Sequence, residues 1–231
     1  METLVHDPFA TKGAEYLLVI LFLALLPVFF RYLNGTPRLA ASRVRASQPL
    51  RSPIGWFRLP DTAYYGMGHT WAVPVGAGRV RIGVDDFAQK LLGPARSVEL
   101  PEVGSSLKKG TRGWALQVAD RSFDLPSPVA GRVVARNEAA LRSPGVINAD
   151  PYGDGWLLEV EVPKLRKSLS GLHHGRSAME WLLRAEDALR LRMSPELGVV
   201  LQDGGVPVPG IARALSENRW DELVRDLLYH E

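Results

Sequence analysis

The sequence contains no cysteine. That excludes disulfides, thiol catalysis and cysteine-ligated zinc or iron–sulfur centres. Lysine is missing from the whole of residues 110–163, so no primary amine is available there as a nucleophile or attachment point. Known site patterns are also thin. No Ser/His/Asp set is identifiable from spacing. Gly76-Ala77-Gly78 is not a dinucleotide fingerprint, because the third glycine is misplaced and no helix opens there. His173-His174 has no nearby carboxylate or cysteine set to complete a metal shell, and is read as a solvated loop. His69 is read as a structural polar group and not as a base. No metal, and no catalytic residue, is expected.

What is present supports a packed core. The 231 residues are 46% hydrophobic and 23% charged, a balance that argues against wholesale disorder and allows one domain with extras or two small ones. Net charge is +3 and the sequence pI is near 9.3. The basic character is mostly arginine and concentrates just after an apolar run, which points to a membrane surface and not to nucleic acid.

That run is Tyr16 to Phe30, YLLVILFLALLPVFF, bracketed by Glu15 and Arg31 and extended by Tyr32 and Leu33. Residues 16–33 are near the lower length limit for a transmembrane helix. Tyr16 and Tyr32 sit where interfacial aromatics belong, and Arg31 can reach the headgroups. A cleaved signal peptide is disfavoured, because Glu2, Asp7 and Glu15 oppose Lys12 alone in the preceding segment. Arg31, Arg38, Arg43, Arg45 and Arg51 follow with no acid before Asp61. The positive-inside rule then puts residues 1–15 outside and everything after Arg31 in the cytoplasm. Residues 34–60, rich in Arg, Ser, Ala and Pro, read as a basic juxtamembrane linker near anionic lipid headgroups.

From Tyr64 onward short apolar runs alternate with Gly, Pro and Asp. Strands are expected at Thr70–Val75, Arg79–Ile82, Ser97–Leu100, Trp114–Ala119, Gly131–Ala135 and Trp156–Val162. Asp85 to Leu91 reads as a helix capped by Asp85 or Asp86 and stopped by Gly93-Pro94. Asp150 to Gly155 reads as a turn. The density of short strands favours a sandwich or barrel. A helix is expected over residues 177–193, with Ser177 as cap and Met179, Leu182, Leu183, Leu189 and Met193 on one face. Val199–Gln202, a turn at Asp203-Gly204-Gly205 and a final amphipathic helix follow. That helix carries Trp220, Leu223, Val224, Leu227 and Leu228 in one stripe. Packing of the stripe on its own domain is preferred over packing on a partner.

Residues 79–110, RVRIGVDDFAQKLLGPARSVELPEVGSSLKKG, and residues 127–162, SPVAGRVVARNEAALRSPGVINADPYGDGWLLEVEV, resemble the H protein of the glycine cleavage system. His69-Thr70-Trp71 resembles that family's early His-x-Trp strand. The resemblance covers residues 64–193 and is specific, with GxxDFAQ, VELPxVG and NxDPYGxGW in the family's order. It implies a mainly β, lipoyl-domain-like barrel-sandwich hybrid over residues 61–193, with flanking helices and residues 194–231 as a C-terminal extension. It also implies a hairpin whose lysine carries lipoate through an amide.

Here the resemblance breaks. Counting back from Ser127-Pro128, the lysine position falls on Asp120, or on Arg121 with a one-residue slip. Aspartate has no amine, and a guanidinium stays protonated and delocalised. No cofactor is therefore expected. Asp120, Arg121 and Asp124 read as a mixed-charge turn, with Phe123 a partner contact or, by preference, folded back on the sheet. The expectation is a non-catalytic, membrane-tethered adaptor. It would meet integral membrane proteins of a larger complex, of which a respiratory or photosynthetic electron-transport assembly is one kind. Phe123, Trp220, Leu223 and Leu227 are the candidate contacts. The alternative is a lipoate-type carrier of one-carbon metabolism. An efflux-pump adaptor is disfavoured for want of coiled-coil heptads and the right flanking charges.

Overall fold

The computed structural model describes residues 16–26, 55–193, 201–202 and 206–229, and the chain separates into two compact units, Met1–Ser47 and Gln48–Glu231. In the first unit, residues 16–26 form a helix, α1, with Tyr16, Phe22 and the leucines around them exposed. Among the described residues no helix is long and apolar enough to cross a membrane. The rest of the expected span, 27–33, lies outside the described residues, as do residues 1–15 and the expected interface residues Arg31, Tyr32, Arg38, Arg43 and Arg45.

The second unit starts earlier than the sequence suggested. Phe57 is 0% and Leu59 5% exposed, so the last residues assigned to the linker belong to the core. Phe57 meets Phe87 edge-on at 4.9 Å.

Strands β1 (Tyr64–Gly66), β2 (Thr70–Gly76), β3 (Arg79–Val84), β4 (Ala95–Glu99), β5 (Ser106–Leu107), β6 (Arg112–Val118), β7 (Arg121–Pro126), β8 (Gly131–Arg136) and β9 (Leu158–Glu161) build two antiparallel sheets. One has the order β1-β2-β3-β9-β8-β5, the other β4-β6-β7. Period-two alternation decides which side chains go inward. Val80, Ile82 and Val84 are buried while Arg79 and Arg81 point out, and Arg79 meets Glu159 of β9 at 2.8 Å. The six strands expected from the sequence are all present, with shifted ends. The strands β1, β5 and β7 were missed. The first two have three and two residues, too few to show alternation.

Trp71 organises the larger sheet. Its indole N–H donates to the carbonyl oxygens of Val84, at 2.8 Å, and Pro151, at 3.1 Å, which anchors the Asp150–Gly155 turn. The ring lies over Gly83, where a Cβ would come within 2.8 Å of it. Helix α2 (Asp86–Leu92) is capped by Asp85, whose carboxylate accepts from the Ala88 N–H at 2.8 Å. Short helices α3 (Glu138–Arg142), α4 (Gly145–Ala149) and α5 (Leu165–Leu169) fill the connections.

Helix α6 (Arg176–Arg192) starts one residue before the expected Ser177 cap. Ser177 Oγ does not cap it but exchanges hydrogen bonds with the backbone of His174. Leu182 and Leu189 are buried as expected. Leu183 is 40% exposed, because Trp181 takes the core side of that turn. Strands β10 (Leu201–Gln202) and β11 (Val206–Pro207) pair with each other, and the turn at Asp203-Gly204-Gly205 lies outside the described residues. Helices α7 (Ile211–Leu215) and α8 (Trp220–Leu228) then return to the domain.

Candidate functional site

The hairpin of β6 and β7 is the element in which the resemblance places its chemistry. Val118 pairs with Arg121, leaving Ala119 and Asp120 as a two-residue turn. Ala119 has φ +52°, the positive φ that tight hairpin turns require and that a non-glycine residue adopts at a cost. The mixed-charge turn expected over 120–124 is therefore shorter: Arg121 to Asp124 are strand. Asp120 stands at the tip with its side chain 77% exposed, and Arg121 Nε lies 3.7 Å from it.

Alternation along β7 turns Phe123 and Leu125 inward and Ser122 and Asp124 outward. Helix α8 covers Phe123. The Trp220 ring centroid is 5.0 Å from that of Phe123, at an interplanar angle of 52°. Phe123 is 5%, Trp220 3% and Leu227 1% exposed. Leu223 is half-buried against the same core. These four residues pack within the chain, the arrangement preferred for Phe123 and for the final stripe over contact with a partner. Four buried side chains of α8, Trp220, Val224, Leu227 and Leu228, each contribute roughly 1.5–3 kcal/mol of burial.

Polar contacts fix the same docking. Tyr229 donates to the Asp124 carbonyl oxygen at 2.7 Å, and Arg121 lies 3.9 Å from Asp221. At the start of α7, the Gly210 N–H donates to the Lys90 carbonyl oxygen at 2.7 Å. Gly210 packs so closely on Gly93 that a Cβ on Gly93 would come within 2.9 Å of its Cα. A cavity of about 600 Å³ remains beside the hairpin, lined by Leu92, Arg96, Val118, Ala119, Arg213 and Trp220 among others. Sequence reasoning missed Tyr229 and Asp221, which carry no periodic signal of their own.

A second polar cluster lies inside the domain. His69 Nδ1 is 2.8 Å from Asp85 Oδ2, both side chains almost fully buried. With the carboxylate accepting, the ring proton sits on Nδ1. Phe87 and Trp181 stack on the two sides of the imidazole, each at 4.2 Å. Asp86 is fully buried and accepts from the Arg58 N–H, the Gln89 amide and Lys90 Nζ. Each group here is held by the core. The solvated-loop reading fails for His173, which is half-buried, bridges to Tyr65 and stacks on Trp181 at 5.4 Å; His174 stays exposed and stacks on Tyr64 at 4.2 Å. Among the described residues no group of three or more His, Cys, Asp or Glu could hold a metal ion.

Burial raises the phenol of Tyr65 above the ordinary tyrosine value, with Asp85 adding to the effect. Burial likewise holds Tyr152 well above it. Tyr229 is raised by burial first and by Asp124 second.

The residues at the hairpin do not fit lipoate. An amide-linked arm needs a primary amine, and the tip offers a carboxylate and a guanidinium. Lys109 precedes β6, and the seven residues of that strand carry the chain about 23 Å before the turn. Lys90 is held by Asp86 and by the Trp56 carbonyl oxygen.

Residues 63–184 match the family model described as "Glycine cleavage H-protein". The glycine cleavage system H protein of Mycolicibacterium smegmatis is 39% identical over 116 residues, covering 49% of this chain and 88% of that protein. A probable glycine cleavage system H protein of Thermococcus kodakarensis is 33% identical over 129 residues, covering 56% of this chain and 96% of that one. The crystal structure of the Mycobacterium marinum H protein covers 55% of this chain and 99% of its own, at 30% identity and a TM-score of 0.47. Helix α7, which packs on α2, and helix α8, which packs on the hairpin, lie beyond the matched residues. By its residues 63–184, the chain belongs to the glycine cleavage H-protein family.

Proposed function

We propose that this protein is a non-catalytic accessory subunit, tethered to the cytoplasmic membrane, that uses an H-protein-like domain as a docking surface within a larger membrane complex. One observation carries the proposal: Asp120 occupies the hairpin tip and residues 110–163 hold no lysine, so no amine is available for an acyl-linked arm. The tether rests on the apolar run 16–33 and the arginines after it. In this reading the N-terminus lies outside, the domain lies in the cytoplasm, and the neighbours are integral membrane proteins of a larger complex, of which a respiratory or photosynthetic electron-transport assembly is one kind.

The test is purification from native membranes in mild detergent, with intact mass measured on the same sample. The expected result is co-elution with integral membrane proteins and the mass of the bare sequence. Release by carbonate as a free monomer overturns the tether and the complex together.

A second reading, a lipoate-type carrier of glycine or one-carbon metabolism, is favoured by the 39% identity to a glycine cleavage system H protein. It requires a covalent acyl group. Peptide mapping from cells that lipoylate other proteins decides: a lipoylated peptide containing Lys108 or Lys109 would replace the adaptor reading with this one.

A further inference from the structure

One end of the larger sheet concentrates cations that no carboxylate among the described residues pairs with. Strand β5 pairs Ser106 with Arg132 and Leu107 with Gly131, and β9 pairs Glu161 with the same Arg132. Antiparallel pairing therefore brings the exits of β5 and β9 out at the same end of β8. From these exits project Lys108 and Lys109, and Lys164, Arg166 and Lys167, all exposed. Lys109 Nζ reaches the carbonyl oxygens of Ser168 and Gly171, at 3.4 Å each, and joins the two segments. None of the five makes an ion pair among the described residues. No Asp or Glu occurs between Val103 and Ala119 or between Val162 and Met179. The nearest carboxylates on the strands, Glu159 and Glu161, stand opposite Arg79, Arg81 and Arg132.

The residue type is informative. Arginine outnumbers lysine along the chain, yet of Lys12, Lys90, Lys108, Lys109, Lys164 and Lys167, which are all its lysines, four stand here. Lysine is a mobile point charge and arginine a rigid fork suited to bidentate contact with a discrete anion. Beside the patch Val75, near the end of β2, is 40% exposed, and Val162 donates to the carbonyl oxygen of Gly78 in the adjoining β2–β3 turn at 2.8 Å. The neighbouring cavity is small, about 200 Å³, and reaches Lys109 alone of the five. Diffuse positive charge beside an exposed apolar tip, with no enclosed seat, matches an extended anionic plane.

We infer that this end of the sheet is a docking face for an anionic lipid surface. It is a second membrane contact, separate from residues 16–33 and from the arginines that follow them. Docking here would hold the domain in one orientation on the bilayer, with the face carrying β5, β9 and α5 toward the lipid.

The test is lysine footprinting by amine acetylation on the full-length protein in nanodiscs of phosphatidylcholine alone or with phosphatidylglycerol. Lys108, Lys109, Lys164 and Lys167 should lose reactivity several-fold in acidic discs at low salt, regain it at high salt, and leave Lys90 unchanged. The double variant Lys164→Glu/Lys167→Glu, on an exposed surface and with an unchanged circular dichroism spectrum, should abolish that protection and weaken capture on acidic vesicles by on the order of tenfold or more. Equal reactivity in both discs overturns the docking face, as does protection that appears only when an acidic protein is added. Failure of the protein to enter neutral discs counts against the tether and leaves the comparison on acidic discs in force.

Discussion

The phenol of Tyr229 donates a 2.7 Å hydrogen bond to the carbonyl oxygen of Asp124, 105 residues earlier in the chain. It ties the residue after α8 to the strand after the hairpin turn, and Trp220 on Phe123 closes the other end of the same contact. The inner face of the hairpin on which the family resemblance placed a carrier arm belongs to this protein's core, while the tip at Asp120 stays exposed.

Removing that closure should be costly. Trp220→Ala is expected to destabilise the domain by about 3–5 kcal/mol, the range for deleting a buried aromatic. A cycle with Phe123→Ala should give a coupling of about 0.5–1.5 kcal/mol. Urea unfolding followed by fluorescence and by circular dichroism measures both. A loss under 1 kcal/mol would mean that α8 is not held on the hairpin in solution.

The turn itself stores strain that glycine can relieve. Ala119 has φ +52°, and left-handed backbone costs an L residue roughly 1–2 kcal/mol. Against the entropy that glycine adds to the unfolded chain, Ala119→Gly should raise stability by about 0.5–1 kcal/mol. A lower thermal midpoint would show that the turn adopts another conformation.

Asp85 does two jobs, as cap of α2 and as partner of His69. Asp85→Asn keeps an oxygen for the Ala88 N–H and should cost about 1 kcal/mol. Asp85→Ala loses the cap and strands the imidazole, and should cost about 2–4 kcal/mol. Equal effects of the two variants would refute the division of labour.

Alkaline pH should unfold the domain through its tyrosines. The phenols of Tyr65 and Tyr152 are raised in the fold above the ordinary value of 10.0, whereas the unfolded chain ionises near that value. Their contribution is complete below pH 10 and is lost as pH climbs above it. The urea midpoint should therefore fall above pH 10, and Tyr65→Phe, which removes the titrating group, should flatten the fall. A midpoint independent of pH up to 11 would contradict the burial of both rings.

Much of this was legible in the sequence, and for identifiable reasons. The cap at Asp85, the stop at Gly93 and the stripe of α8 are local patterns, and the six longer strands alternate or end at turn residues. Strands β1 and β5 are too short to alternate. Strand β7 looks like a turn in the sequence because Asp120, Arg121 and Asp124 are loop-type residues, and of its six positions three face solvent, leaving Phe123, Leu125 and Pro126 on the buried side. The start of the domain at Phe57 was hidden by the arginine- and serine-rich segment before it. The polar anchors of α8 join residues far apart in the chain, which no window on the sequence can pair.

The distance between Asp124 and Tyr229 has a consequence for biosynthesis. At 5–20 residues per second, the ribosome leaves the inner face of β7 without its lid for roughly 5–20 s. During that interval Phe123 is open to chaperones and to the translation machinery's neighbours, so any partner that must reach it would have to do so while the nascent chain is still growing.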